Sequence, residues 1–426
     1  MGLIIFEVLL LIILLHKQKH FHNSLLVFIS FIIQITILVL YRLELTLLWG
    51  REVYWSDAEY YWDSTLKMIK TGFVAAHNIT YVYYTWLIQM TSPFINVIWN
   101  NISNIMLLNL SFLMAIQSYL DSKNDLYLNK SYMKSNSIPI TSYLLSIANP
   151  LVIYSLLRNL KDSLFLFLVV FSIYLMGYIK KVKSVTIFIF WLIFYNLLLI
   201  PVLTNIRPWG FAIPVLNTLS LFLDKKNISK QKRTVLTIFF AVQVFFMIYL
   251  FSARAFAWLS RRDMLLELGV GADSQGFSTV FLGLFRLLLG PGPIRSLFGY
   301  QYFQFYTYVG NICALIGSTI FWFLSPIVLL QMLDMNRKDL YVLLTYIFNL
   351  LMILIIYSYF YGGSAELRFR GVIYTLVANV FAILQLGNEK TMKIRPMESF
   401  DINKLKLKAY VLLCSMLFLG GLLFSI

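Results

Sequence analysis

Charge is scarce in this chain. Of its 426 residues only 13% are Asp, Glu, Lys or Arg, about half the share of a soluble domain, while 60% are hydrophobic. Cysteine is almost missing. Cys313 and Cys414 lie far apart in apolar runs, so neither a disulfide framework nor a thiolate metal site is expected. The histidines, His16, His20, His22 and His77, form no HExxH pair. There is no phosphate-cradling P-loop, no GxGxxG and no GxSxG elbow. Those absences argue against an ATP-driven pump acting alone and against a soluble-cofactor enzyme. No basic stretch precedes the apolar start, so no cleavable signal peptide is expected. The apolar runs lack the two-residue alternation of a barrel.

What the chain does have is a series of continuous apolar runs. They lie near 2–16, 24–42, 102–120, 138–156, 163–179, 185–204, 208–223, 234–251, 306–331, 340–359, 370–387 and 409–425. A spanning helix needs about 20 apolar residues. The expectation is therefore an all-α fold: one polytopic transmembrane helical bundle over residues 1–426 with about twelve spans, roughly 11–13. Shorter apolar segments at 85–100 and 276–290 suit interfacial or re-entrant helices in the loops 43–101 and 252–305.

Net charge is +16. In a membrane protein this reads as positive-inside bias and contact with anionic headgroups, not as a nucleic-acid surface. Lysines recur in every second loop, ending with the basic loop 388–408, which places those loops in the cytosol and loops 43–101, 157–162, 205–207, 252–305 and 360–369 outside. Of 21 lysines, 18 then fall inside, whereas of 14 arginines only Arg233, Arg337 and Arg395 do. Lysine suffices to set topology, but the arginine fork binds phosphate and carboxylate bidentately. External arginines therefore suit an anionic ligand, with loop ion pairs or snorkelling to headgroups as the structural alternative.

Within the external loops, the stretch Arg51 to Tyr84 gathers Glu52, Asp57, Glu59 and Asp63 among six tyrosines and two tryptophans. A carboxylate in apolar surroundings suits a general base acting on a sugar hydroxyl. The aromatics, including Tyr60 and Tyr61, suit sugar stacking or simply the membrane interface. Arg158, Lys161 and Asp162 follow Asn149-Pro150 at a tight turn, where Asp162 could also cap the next helix. Arg207 sits in the very short turn before Pro208, and an arginine pinned at the bilayer surface needs a partner. Arg286 and Arg295 flank GPGP, and Glu366, Arg368 and Arg370 follow Gly362-Gly363.

This order of features resembles the GT-C class of membrane glycosyltransferases. The resemblance is carried by Ser56-Asp57-Ala58-Glu59-Tyr60-Tyr61 through Gly72 to Tyr83-Tyr84, by Asn149-Pro150 with Lys161-Asp162, by the arginine-rich loop past the middle, and by Gly362-Gly363 with Arg368-Phe369-Arg370. Wzy-type envelope polysaccharide polymerases look similar at the same level. The resemblance implies transfer from a polyprenyl-phosphate- or pyrophosphate-linked saccharide donor to a lipid-linked or glycan acceptor, in cell-envelope polysaccharide synthesis. It implies Asp57 or Glu59 as base, with Arg207, Arg368, Arg370, Arg158, Lys161 and Arg295 on the donor phosphate. Tyr60, Tyr61, His77 and Glu366 are then expected at the acceptor or sugar. No cofactor is assigned, and a divalent metal is left open. The expected setting is a multi-pass bacterial plasma membrane protein, among membrane lipids and other polysaccharide-assembly proteins. The chain departs from the pattern in two ways: a short helix precedes the one leading to the acidic loop, and Ala58 splits the usual adjacent acidic pair. Two readings from other classes stay open: a flippase or transporter for lipid-linked oligosaccharide, and a non-catalytic membrane assembly protein.

Overall fold

The computed structural model describes residues 2–18, 21–54, 57–124, 140–223, 228–267, 277–290, 292, 307–333, 340–361, 367–387 and 404–423. Every regular element among them is helical, as the continuous apolar runs require. In chain order these are α1 (Gly2–Gln18), α2 (Phe21–Leu43) continued by a π-helical turn (Glu44–Leu48), α3 (Asp57–Thr71), α4 (Ile79–Thr91), α5 (Val97–Asn124), α6 (Ile140–Leu145), α7 (Pro150–Leu157) and α8 (Asp162–Lys181). There follow α9 (Val185–Ile206), α10 (Ala212–Leu223), α11 (Lys230–Glu267), α12 (Phe277–Leu289), α13 (Tyr308–Leu333), α14 (Leu340–Tyr361), α15 (Leu367–Gly387) and α16 (Lys404–Leu423).

Seven helices among the described residues are long and apolar enough to cross a membrane, which suggests a membrane protein. They lie in α2, α5, α8, α9, α11, α13 and α14. Their lipid-type faces are plain on α9 and α11, where Phe190, Leu197, Phe245 and Tyr249 are exposed. By contrast α5, α7 and α15 are buried almost throughout and form the centre.

Small residues let these central helices approach. A Cβ on Gly310 or Gly317 of α13 would collide with Tyr154, or with Asn149 and Leu151, of α7. A Cβ on Gly371 of α15 would collide with Ser155 and Leu156 of the same short helix. So α7 is gripped on two sides, and the turn that follows it is fixed in place.

Two expectations are corrected here. The run 138–156 is not one helix. It is α6 and α7, broken at residues 146–149, because Pro150 has no N–H to continue the ladder. Asn149 instead caps α7, accepting from the Leu151 and Val152 amides at 3.0 and 3.3 Å. The run 208–223 contains only a twelve-residue helix, α10, too short by itself to span.

The ends of the bundle differ. At one end Lys181 Nζ donates to the Asp121 carbonyl at 2.8 Å and Lys232 Nζ donates to the Val182 carbonyl. At the other end of α8, about 30 Å away by helical rise, lie Arg158, Lys161 and Arg207. The arginine-bearing end is closed by α3 and α4. Helix α3 is amphipathic: Ala58, Tyr61, Trp62, Thr65 and Met68 are buried, while Glu59, Asp63, Lys67 and Lys70 are exposed. Gly72, at φ +70°, ends it with its amide on the Met68 carbonyl.

Candidate functional site

The turn from Arg158 to Lys161 is built by asparagines that the apolar count passes over. Asn104 Nδ2 donates to the Arg158 carbonyl at 2.7 Å, and Asn101 Nδ2 to the Leu157 carbonyl at 2.8 Å. Asn159 Nδ2 donates to the Ala58 carbonyl at 3.0 Å, which ties the first turn of α3 to this turn. Tyr81 and Asn100 both donate to Asn159 Oδ1. All of these side chains are buried, so their bonds fix one geometry.

On that frame, side chains distant in sequence meet. Asp57, at the start of α3, pairs with Arg368, at the start of α15 and 311 residues away. Arg207, after α9, pairs with Asp162, the first residue of α8; their side chains are 4% and 1% exposed. The Arg207 guanidinium lies 5.4–5.9 Å from the ring centres of Phe165, Tyr357 and Phe369, a desolvated seat that suits cation–π contact. Lys161 is buried beside them and interacts with all four of these charges.

The electrostatics follow from that packing. Burial alone pushes the Asp57 carboxyl up, but Arg368 beside it, with Lys161 and Arg207 beyond, outweighs burial and holds it below the usual carboxylate range. For Lys161, burial and then the Arg207 guanidinium hold the ammonium well below the usual lysine value, with Asp162 opposing them. Burial, followed by Asp57, pushes the Tyr61 hydroxyl up, so this group stays a neutral donor.

The two carboxylates of α3 are thus separated. Residues two apart on a helix differ by about 200° in direction. Asp57 faces the cluster, and Glu59 turns away to pair with Arg51 at 3.2 Å, its side chain 49% exposed. The same rule divides Arg368 from Arg370. Arg370 is buried on the far side of α15, donating to the carbonyls of Arg286 and Gly290 at the end of α12. Arg158 also stands apart, its guanidinium 5.6 and 5.3 Å from the Tyr54 and Tyr154 rings. So the structure does not bring Glu59, Arg370 and Arg158 into the Asp57–Arg368 cluster.

Of the aromatic expectations, Tyr61 is buried beside the cluster and its hydroxyl accepts from Asn78 Nδ2 at 2.8 Å. Tyr60 and His77 are exposed, with the His77 amide donating to the Tyr60 hydroxyl at 2.7 Å. Glu366 and Arg295 lie outside the described residues. Among the described residues no three His, Cys, Asp or Glu side chains gather as a metal site, and both acids of the cluster are engaged by guanidinium groups.

Of the two readings of Asp162, the structure makes it the first residue of α8, with Lys161 at the cap position, and its carboxylate pairs with Arg207. The signal for it was the buried arginine across a short turn, which needed an acid. The asparagines Asn100, Asn101 and Asn104 were legible only as polar residues at the start of an apolar helix. Compared with family models and with curated proteins, the sequence finds no match in either.

Proposed function

We propose that the protein is a multi-pass membrane glycosyltransferase of the GT-C type. Its donor is a sugar or oligosaccharide on a polyprenyl phosphate or pyrophosphate, used at the outer face of a bacterial plasma membrane in envelope polysaccharide synthesis. Repeat-unit polymerisation is included in this reading. The bundle then has about eleven spans, with α1, α15, α16 and the α6–α7 pair joining the seven long apolar helices.

One observation carries the reading. A carboxylate on an amphipathic helix meets two arginines and a lysine from three distant parts of the chain, at the end of the bundle opposite Lys181 and Lys232. That is the pairing a glycosyl transfer needs. Arg368, Arg207 and Lys161 hold the carrier phosphate and stabilise the charge that grows on it as the C1–O bond breaks. The acceptor hydroxyl attacks C1 and its proton passes to Asp57. In the structure Arg368 pairs with Asp57. A phosphate draws the guanidinium to itself, which restores basicity to Asp57 when the donor is bound.

Among the described residues, the polar groups that join α8, α9, α10, α11 and α14 are neutral, which supports transfer over translocation. Asn217, Ser172, Tyr195 and Asn349 are amides and hydroxyls bonded to one another at 2.8–2.9 Å, and Gln243 bonds Asn196 at 2.6 Å. A path for an anionic headgroup would call for charge there.

The test is transfer from a radiolabelled polyprenyl-linked donor in detergent or proteoliposomes. Asp57→Asn is expected to lower kcat by about 10²–10⁴ while donor binding stays within about threefold. Unchanged turnover in this variant would remove Asp57 from the mechanism, and absence of transfer with every polyprenyl donor would sink the reading.

A further inference from the structure

Glu7 has no part in the site described above, yet its carboxyl is buried inside the bundle, on the second turn of α1. It meets two hydroxyls from two other helices. Tyr84 of α4 donates to Glu7 Oε1 at 2.8 Å, and the Ser103 hydroxyl of α5 lies 2.6 and 2.7 Å from Oε1 and Oε2. Those two hydroxyls are also hydrogen-bonded to each other. Three oxygen groups thus touch pairwise, and each contact needs a hydrogen.

No cation takes part. Among the described residues, Tyr84 is the one titratable group that faces Glu7. Helix α4 carries no charged residue, and α5 carries none before Asp121. Arg42 of α2 donates to the Glu52 carbonyl, and His16 and Lys17 lie in the last turn of α1. The hydrogens must therefore come from the three groups themselves. A hydroxyl donates one hydrogen, and an ionised carboxylate donates none. With Glu7 ionised, two hydroxyls fill two of the three contacts, and the third sets lone pair against lone pair in a buried place, which is costly. A carboxylic acid supplies the missing hydrogen. Tyr84 then donates to Glu7, Glu7 to Ser103 and Ser103 to Tyr84, and the ring closes.

The ring holds α4 against α1 and α5. One turn earlier on α4, Tyr81 donates to Asn159 Oδ1 at 3.2 Å, and Asn159 holds the Ala58 carbonyl beside Asp57. Thr85, next to Tyr84, meets Thr65 of α3 at 2.6 Å. A change at Tyr84 is thus passed to α3 through two printed-side contacts of α4, one at each of these residues.

We propose that Glu7 carries a proton in the folded protein, and that this proton latches α4, and through it α3, to α1 and α5. On the alkaline side the carboxyl O–H bond breaks, its proton passes to solvent, no other bond changes, and the latch loosens. The latch is independent of the chemistry given to Asp57.

Infrared spectra of the full chain in detergent, from about pH 6 to about pH 10, test the proton, because an ordinary carboxyl is ionised throughout that range. The wild type should show a carboxylic-acid C=O band at about pH 6 that is absent in Glu7→Gln and fades as pH rises. Tyr84→Phe removes the hydroxyl that donates to the Glu7 carbonyl, so it should shift the band. Hydrogen exchange over residues 57–91 tests the latch. In Glu7→Gln the amide supplies the third hydrogen at every pH. At about pH 9 the wild type should exchange about tenfold faster there than Glu7→Gln, and at about pH 6 the two should agree.

No carboxylic-acid band in the wild type, or a band unchanged in both variants, overturns the proton on Glu7. A band that persists to about pH 10 overturns its release. Equal exchange in wild type and Glu7→Gln at both ends of the range overturns the latch. Where Glu7→Gln does not fold, the shift in Tyr84→Phe assigns the band, and wild-type exchange corrected for the intrinsic effect of pH decides the latch. Transfer through Asp57 with no such band would remove only this proposal, and the band without transfer would remove only the glycosyltransferase reading.

Discussion

Breaking the Arg207–Asp162 pair should separate stability from activity. Both side chains are almost fully buried, at 4% and 1% exposure. Removing one partner leaves an uncompensated buried charge, which costs about 3–5 kcal/mol. For a chain of this length the unfolding entropy gives roughly 0.9 kcal/mol per degree. Asp162→Leu or Arg207→Met alone should therefore lower the thermal midpoint in detergent by about 3–6 °C. The double variant is different. Replacing a buried pair with apolar groups is often neutral or stabilising, and Phe165, Tyr357 and Phe369 around Arg207 can pack a thioether. Its midpoint should return to within about 2 °C of wild type. Its transfer activity should not return, because the phosphate has lost Arg207. Midpoints come from fluorescence-detected size exclusion after heating, and activity from the radiolabel assay. Additive midpoints in the double variant would refute the pairing. Recovery of transfer along with stability would refute the role given to Arg207.

Three other outcomes are expected. Arg368→Lys keeps the charge but loses the planar fork, so the KM for donor should rise about tenfold or more with a smaller change in kcat; an unchanged KM would show that a point charge suffices. Because the Asp57 carboxyl is held below its ordinary value, its pairing stabilises the fold above about pH 4 and is lost as pH falls through the lower folded value. The gap in thermal midpoint between wild type and Asp57→Asn should close on that acid side, and a gap that widens there would contradict the sign. Gly371→Ala places a methyl against Ser155 and Leu156 of α7, which should cost about 1–3 kcal/mol. A midpoint equal to wild type would mean that α7 and α15 are not held this closely.

Much of the architecture was legible because it depends on local composition. Long apolar runs announce helices for lipid wherever the rest of the chain goes. Asn149-Pro150 could be read as a helix start rather than a helix interior, since proline lacks a donor; the expectation of one helix over 138–156 ignored that rule. The site was legible in part. Asp57, Arg207, Arg368 and Lys161 stood out as charges in an apolar chain, and these are the ones brought together. Glu59 and Arg370 stood out equally and are not. Reading residues 57–71 as a helix would have separated Asp57 from Glu59, since side chains two apart point in opposed directions.

The sequence by itself determined the class of molecule, its helical character and the kinds of charge at its two ends, because hydrophobicity and charge type act residue by residue. Only the tertiary structure decided which acid meets which arginine. Asp57 and Arg368 are 311 residues apart, and their meeting depends on α7 lying tight against Gly371 and on Asn159 holding the first turn of α3. Such pairings are set by how closely helix faces pack. No single stretch of sequence carries that information, because each face is completed by another element.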